Sequence, residues 1–214
     1  MERNDYQLIL GNCLEVMREY PDNAFDLCLT DPPYGIGEAA GKNKSRGKLA
    51  VSKDFGNLSW DDAIPSREYF DEIRRISKNQ IIFGGNYFVE YLSNSSCWLV
   101  WDKDNGMSDF ADCELAWTSF KSAVRYYRYR WNGMLQEDMK NKETRVHPTQ
   151  KPLSLMRWCL ENYSKPGDSV IDPFMGSGTT LRACKDMGRP SVGIDITPEY
   201  IEIAKQRLGQ EVLF

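Results

Sequence analysis

The sequence predicts an α/β fold in which a doubly wound, mostly parallel sheet carries helices on both faces. Two observations lead there. Short apolar runs bounded by turn residues alternate with segments of helical period along most of the 214 residues. Near the C-terminus this becomes two successive strand–helix units, the first joined by a glycine-rich turn, which is how a parallel half-sheet is built. A mass of 24.7 kDa with 41% hydrophobic and 27% charged residues suits one domain over 1–214 and excludes disordered, collagen-like and fibrous chains.

The elements follow in order. Residues 6–10 read as a strand, and 13–20 as a helix carrying Leu14, Val16 and Met17. Residues 26–30 read as a buried strand that must stop at Asp31-Pro32-Pro33-Tyr34, because neither proline can donate to a ladder. Residues 36–60 are rich in Gly, Lys and Ser and too long for an ordinary connection, so a functional or partly disordered loop is expected. Ser66 suits the N-cap of a helix presenting Tyr69, Phe70, Ile73 and Ile76 on one face. Strands are expected at 79–83, 97–101 and 114–117, with Gly84-Gly85 between the first two, while 124–131 alternates only weakly. A helix at 154–163, a strand at 169–172, a helix to Met187, a strand at 191–194 and a helix at 198–208 complete the chain.

Composition narrows the function. Lys and Arg number 27 against 31 Asp and Glu, a net charge of −4, which argues against a protein held to nucleic acid by overall charge. No apolar run approaches the roughly 18 residues of a membrane span, and the polar start has no apolar segment behind it, so a soluble cytoplasmic protein with no membrane partner is expected. Six cysteines stand singly, without a Cys-x-x-Cys pair, and read as reduced, mostly core thiols. The single histidine, His147, removes zinc sites that need several imidazoles; no metal is expected.

Two motifs stand at strand ends. Asp172-Pro-Phe-Met-Gly-Ser-Gly-Thr-Thr180 lies where a strand turns into a helix, so its glycines let backbone approach a ligand and the helix N-terminus offers N–H groups. It is neither a Walker A loop, which needs Lys where Thr179 stands, nor GxGxxG. Asp195, 23 residues after Asp172, ends the next strand, where a carboxylate can accept from ribose hydroxyls. Each motif alone would also suit a plain turn with a solvated carboxylate. Asp31 and Asp172 both at the carboxyl edge of one sheet favour a ligand site.

Together, Asp31-Pro-Pro-Tyr34, His147-Pro-Thr-Gln-Lys-Pro152 and Asp172-Pro-Phe-x-Gly-x-Gly-Thr179, in that order, resemble the S-adenosylmethionine-dependent DNA amino-methyltransferases in their beta arrangement. The resemblance covers roughly residues 6–34, 79–103 and 145–208. It implies a Rossmann-like sheet of the methyltransferase type and methyl transfer to the exocyclic N6 amine of adenine in a short sequence of double-stranded DNA, by base flipping and direct attack. Asp as the first residue of the tetrapeptide favours adenine; serine is more typical of cytosine-N4 enzymes. Asp31 Oδ and the Pro32 carbonyl would accept from the amine, Pro33 would help fix that carbonyl, and Tyr34 would stack on the base. No enzyme adduct is formed, in keeping with the absence of a Pro-Cys dipeptide.

For the cofactor, the resemblance implies Asp172 at the methionine amine, backbone from Phe174 through Gly176 and Gly178 to Thr179 around the ligand, Asp195 on the ribose, and His147, Thr149 and Lys151 at the methionine end. Lys151 has a reason to meet the cofactor carboxylate. Asn12-Cys13 stands where relatives commonly have Asp-Cys, near the cofactor adenine; Asn12 can still accept a hydrogen bond, so changed affinity is expected, not lost binding. His147 serves equally well as a satisfied structural histidine.

Despite the acidic total, basic residues cluster. Lys42, Lys44, Arg46, Lys48 and Lys53 follow the tetrapeptide with no Asp or Glu between Gly41 and Lys53. Arg125, Arg128 and Arg130 alternate with aromatic rings within 121–146, a pattern that suits phosphate contact with base stacking or equally an exposed strand with rings turned inward. The 36–60 segment is expected to contact DNA and 121–146 to be a short target-recognition insertion; a homodimer would enlarge the DNA contact. Other readings are a cytosine-N4 DNA enzyme, an RNA adenine enzyme and, from another class, an inactive cofactor- or DNA-binding module.

Overall fold

In the computed structural model, residues 5–36, 64–106, 111–132, 135–146 and 149–210 are described. β1 (Tyr6–Leu10), α1 (Cys13–Arg18) and β2 (Phe25–Thr30) form where the apolar periodicity placed them. α2 (Arg67–Ile76) runs directly into β3 (Ser77–Phe83), and the Ser77 hydroxyl donates to the Ile73 carbonyl at that junction. Ser66 occupies the N-cap position of α2, but its side chain makes no capping bond; the side chain of Asn12 does cap α1. A single 3-10 turn at Gly85–Tyr87 leads toward β4 (Trp98–Asp102) and β5 (Cys113–Thr118).

The weakly alternating 124–131 stretch resolves into β6 (Arg125–Arg128) at the sheet edge and β7 (Trp131–Asn132), which pairs with β8 (Leu135–Gln136) in a separate ribbon. α3 (Leu153–Tyr163), β9 (Val170–Asp172), α4 (Thr179–Asp186), β10 (Ser191–Asp195) and α5 (Pro198–Gly209) complete the order.

The main sheet has eight strands in the order β1-β10-β9-β2-β3-β5-β4-β6. All its pairings are parallel except those of β5, which runs antiparallel to both β3 and β4. Strand alternation sends successive side chains to opposite faces. Leu27, Leu29, Ile81, Phe83 and Val170 pack under α3 and α4 with Leu155, Cys159 and Cys184. Cys28, Ile82 and Ile171 pack on the other face with Met17, Phe70 and Ile73 of α1 and α2. Helices on both faces bury the sheet from either side, the predicted arrangement. No helix among the described residues is long and apolar enough to cross a membrane.

This topology fixes the site. Parallel β1, β10, β9, β2 and β3 bring their carboxyl ends to one edge, and the order reverses where β2 meets β9, the place at which such sheets open a crevice. Because β5 is antiparallel, the same edge receives its beginning, with Glu114 opposite Trp101.

Candidate active site and cofactor pocket

A cavity of about 400 Å³ opens at this edge, within the range of small-molecule sites. Its walls include Asn12 and Cys13 after β1, Asp31 and Pro33 after β2, Thr149 and Lys151 before α3, Asp172, Phe174, Gly176 and Thr179 around the turn after β9, and Asp195 at the end of β10. Most of the catalytic and cofactor residues expected from the sequence therefore face one space. Gly178 takes a left-handed φ of 76° and is the N-cap of α4, where an added Cβ would lie 2.8 Å from that of Ala204. Only glycine lets the turn close there without strain.

On the cofactor side, three backbone amides and the Thr30 hydroxyl hold the acids. Asp172 is buried; its Oδ1 accepts from the Thr30 hydroxyl at 2.7 Å and the Phe174 amide at 3.1 Å. Burial pushes its carboxyl up to about 6, against the hydrogen bonds that favour the anion. Asp195 Oδ2 accepts from the Gly176 amide at 3.0 Å and Oδ1 from the Thr197 amide at 2.8 Å, so this carboxylate clips the glycine turn to the start of α5. Burial raises it as well. Arg207 of α5 donates to the Ser177 carbonyl (2.8 Å), the Ser177 hydroxyl (2.9 Å) and the Thr179 hydroxyl (3.0 Å), bracing the same turn.

Asn12 Oδ1 accepts from the Leu14 amide at 2.9 Å, so the oxygen expected to meet an adenine is already capping α1. Burial pushes the Cys13 thiol up to about 12, which leaves it an inert wall. Tyr69 and Phe174, with centroids 5.9 Å apart and planes tilted by 36°, supply aromatic wall to the cavity.

The catalytic side is held by side chains. Asp31 Oδ1 accepts from the Tyr34 hydroxyl at 2.5 Å, and Oδ2 accepts from Lys151 Nζ, also at 2.5 Å. The same ammonium lies 3.1 Å from Glu114 Oε2 and 3.2 Å from the Tyr34 hydroxyl oxygen. Lys103 pairs with the other oxygen of Glu114. Burial raises the Asp31 carboxyl; Lys151 opposes that rise and the Glu114 charge adds to it. Burial would raise Glu114 too, but Lys151 and Lys103 outweigh it and hold this carboxyl at about 2. The Tyr34 ring stacks on Tyr87 at 4.9 Å and 17°, and the space beside it exists because residue 84 is glycine: a Cβ there would meet the ring at 2.1 Å.

Some expectations change. Lys151, expected at a cofactor carboxylate, lines the cavity but places its ammonium on Asp31 and Glu114, the two acids that burial brings within its reach. Arg128 and Arg130 both pair with Asp104, so their charges reach solvent partly neutralised, whereas Arg125 bonds only weakly, at 3.4 Å, to Ser122 and the Val124 carbonyl. Tyr127 and Tyr129 turn inward, Tyr127 stacking on Trp158, which is the strand-with-buried-rings alternative; Tyr126 alone of that run is well exposed. His147 and Lys42, Lys44, Arg46, Lys48 and Lys53 lie outside the described residues.

Glu114, Lys103 and Arg207 were not singled out by the sequence. Glu114 lies at the start of a strand, whereas Asp31, Asp172 and Asp195 lie at strand ends, and only the antiparallel direction of β5 brings it in. Arg207 sits in a helix of ordinary composition, with nothing to mark its reach back to the turn. Among the described residues no group of His, Cys, Asp and Glu could hold a metal ion.

The family model described as DNA methylase, of the N6/N4 type, matches residues 100–206. The type II methyltransferase M.HpaI of Haemophilus parainfluenzae is 30% identical over 252 residues, covering 97% of this chain and 75% of that protein. The type II methyltransferase M.HinfI of Haemophilus influenzae is 28% identical, covering 97% of this chain and 70% of its own length. Among solved structures, the M1.HpyAVI complex with S-adenosylmethionine superposes with a TM-score of 0.58 at 26% identity, over 96% of this chain and all of that one.

Proposed function

The chain belongs to the N6/N4 family of DNA methylases, and from that membership we propose that it transfers the methyl group of S-adenosylmethionine to the N6 amine of adenine in a short DNA sequence. The carrying observation is that Asp31 and Pro33 of the tetrapeptide and the 172–180 turn open on one cavity from the adjacent strands β2 and β9, with the Tyr34 hydroxyl on Asp31 behind them. The residues fit the cofactor chemically: a buried carboxylate, Asp172, for an ammonium; Asp195 for ribose hydroxyls; a glycine turn for close approach; and Phe174 with Tyr69 for an adenine face. When bound, S-adenosylmethionine supplies a methyl carbon on a sulfonium sulfur, whose C–S bond breaks with its electron pair as the amine nitrogen bonds to carbon.

The protein's part is positioning and charge. An exocyclic amine is a poor nucleophile because its lone pair is delocalised into the ring. Asp31 and the Pro32 carbonyl would accept hydrogen bonds from its two N–H groups and localise that pair. Asp31, raised by burial, is then suited to take the proton that the amine loses once the methyl is in place. Tyr34 would stack on the flipped base, offsetting part of the stacking lost in the duplex. Thr149 at the cavity wall would serve the methionine end, and His147 is proposed beside it from its place in the motif.

DNA contact is assigned to the basic 36–60 segment and, within the short recognition insertion at 121–146, to Arg125 first and to Arg128 and Arg130 if Asp104 releases them. We place the enzyme in the cytoplasm of a bacterial or phage-infected cell, where a homodimer would widen the DNA contact. Labelled methyl transfer to unmethylated duplex DNA, followed by base analysis, tests this reading. N6-methyladenine is expected; N4-methylcytosine, or label in RNA only, would contradict it.

A further inference from the structure

We propose that Glu114 is a positioning residue of the methyl transfer, acting on Asp31 through Lys151. The proposal rests on the reading of Asp31 as the amine acceptor. Four charges alternate along the edge: Asp31, Lys151, Glu114, Lys103. The Lys151 side chain is 6% exposed, and its ammonium, with three protons, has three oxygen partners: Asp31 Oδ2, Glu114 Oε2 and the Tyr34 hydroxyl. Were Asp31 the sole carboxylate beside it, the ammonium would commit fully to the atom that must accept from the target amine. Glu114 divides that commitment.

Its charge also acts on Asp31 directly. A basic carboxylate is a stronger hydrogen-bond acceptor, and Glu114 keeps Asp31 basic while Lys151 keeps it ionised. Lys103 sets the balance from outside by holding the other Glu114 oxygen. The groups that face this cluster are Asp172 on β9, Tyr34 beside Asp31, and Tyr87 against Tyr34, besides the four charges themselves. A purely structural ion pair would need no second carboxylate on the cation that holds the catalytic acid. The geometry instead inserts one cation between the catalytic carboxylate and a second carboxylate delivered by the only antiparallel strand of the main sheet among the described residues.

The test uses the full chain and two variants whose effects carry opposite signs. In Glu114→Gln the negative charge is lost, Lys151 turns fully to Asp31, and the acid limb of the single-turnover pH profile moves to lower pH. The plateau rate should fall about tenfold while S-adenosylmethionine affinity stays within about threefold. In Lys103→Met, Glu114 draws Lys151 more strongly and the acid limb moves to higher pH. Asp31→Ala is the control. If Asp31→Ala retains transfer, the reading of Asp31 falls. If it abolishes transfer while the two variants leave the acid limb in place or move it the same way, the role given to Glu114 is overturned. Loss of cofactor binding in Glu114→Gln matching its loss of rate would overturn it as well.

Discussion

The two halves of the sheet hold their acids differently. In the cofactor half, β1, β10 and β9, each polar group of the site has a nearby backbone partner: Asp195 has Gly176 and Thr197, Asn12 has Leu14, and Asp172 has Phe174 beside the Thr30 hydroxyl. In the catalytic half, Asp31 is tied to two side chains, Tyr34 and Lys151, and the second of these comes from 120 positions along the chain. Backbone partners make a site that is built before its ligand arrives. Side-chain partners can exchange for a substrate amine without moving the sheet. The cofactor pocket is therefore preorganised, and the catalytic acid is held in readiness by groups that can yield.

Gly84→Ala should break this comparison most sharply. A Cβ there enters the space of the Tyr34 ring at a left-handed φ of 69°, so Tyr34 must leave its place beside Asp31. Misplacement on the scale of an ångström costs about 100-fold in single-turnover rate. Cofactor affinity, set in the other half, should hardly change by calorimetry. A matching loss of affinity would mean that the halves are not separable.

The same division governs what the sequence disclosed. The pocket of the cofactor half was legible because each feature is local: an acid ending a strand, a glycine turn, a second acid one unit later. Asp31 was legible for the same reason, since two prolines end its strand. The support behind Asp31 was not. Glu114 enters the site through the direction of β5, a long-range pairing decision that leaves no periodic mark in the residues themselves, and Lys103, just past the end of β4, meets the site only through Glu114. The 121–146 stretch carried two readings, and tertiary packing chose between them by giving Tyr127 to Trp158 and two arginines to Asp104.

Acidity sharpens the comparison with a smaller effect. Asp172 must be ionised to hold an ammonium, and burial pushes it up to about 6. Cofactor affinity should fall as pH drops below that value, by up to about tenfold per pH unit. Stability of the free protein runs the other way. A carboxyl raised by folding binds its proton more tightly in the native state, so its contribution is full below the ordinary carboxylate range and is lost as pH rises through about 6. The rise in melting temperature given by S-adenosylmethionine should therefore grow across that window; a shift independent of pH would remove Asp172 from the ammonium.

The smallest expected effect lies at the sheet edge. Arg125→Ala should weaken DNA binding modestly and lower the slope of log affinity against log salt by about one, whereas Arg128→Ala, whose charge Asp104 already shares, should change it less. Equal slopes for both variants and the parent would take β6 out of the DNA contact.

The most direct measurement pairs calorimetry for S-adenosylmethionine with single-turnover methyl transfer in Asp31→Ala and Asp195→Ala. Preorganised cofactor binding beside a separately held catalytic acid predicts that Asp31→Ala abolishes transfer and keeps affinity within a few-fold, while Asp195→Ala, which frees the Gly176 and Thr197 amides, weakens affinity by about 10-fold or more yet restores transfer when the cofactor is saturating. The reverse pattern, affinity lost with Asp31 and transfer lost at saturation with Asp195, would contradict it.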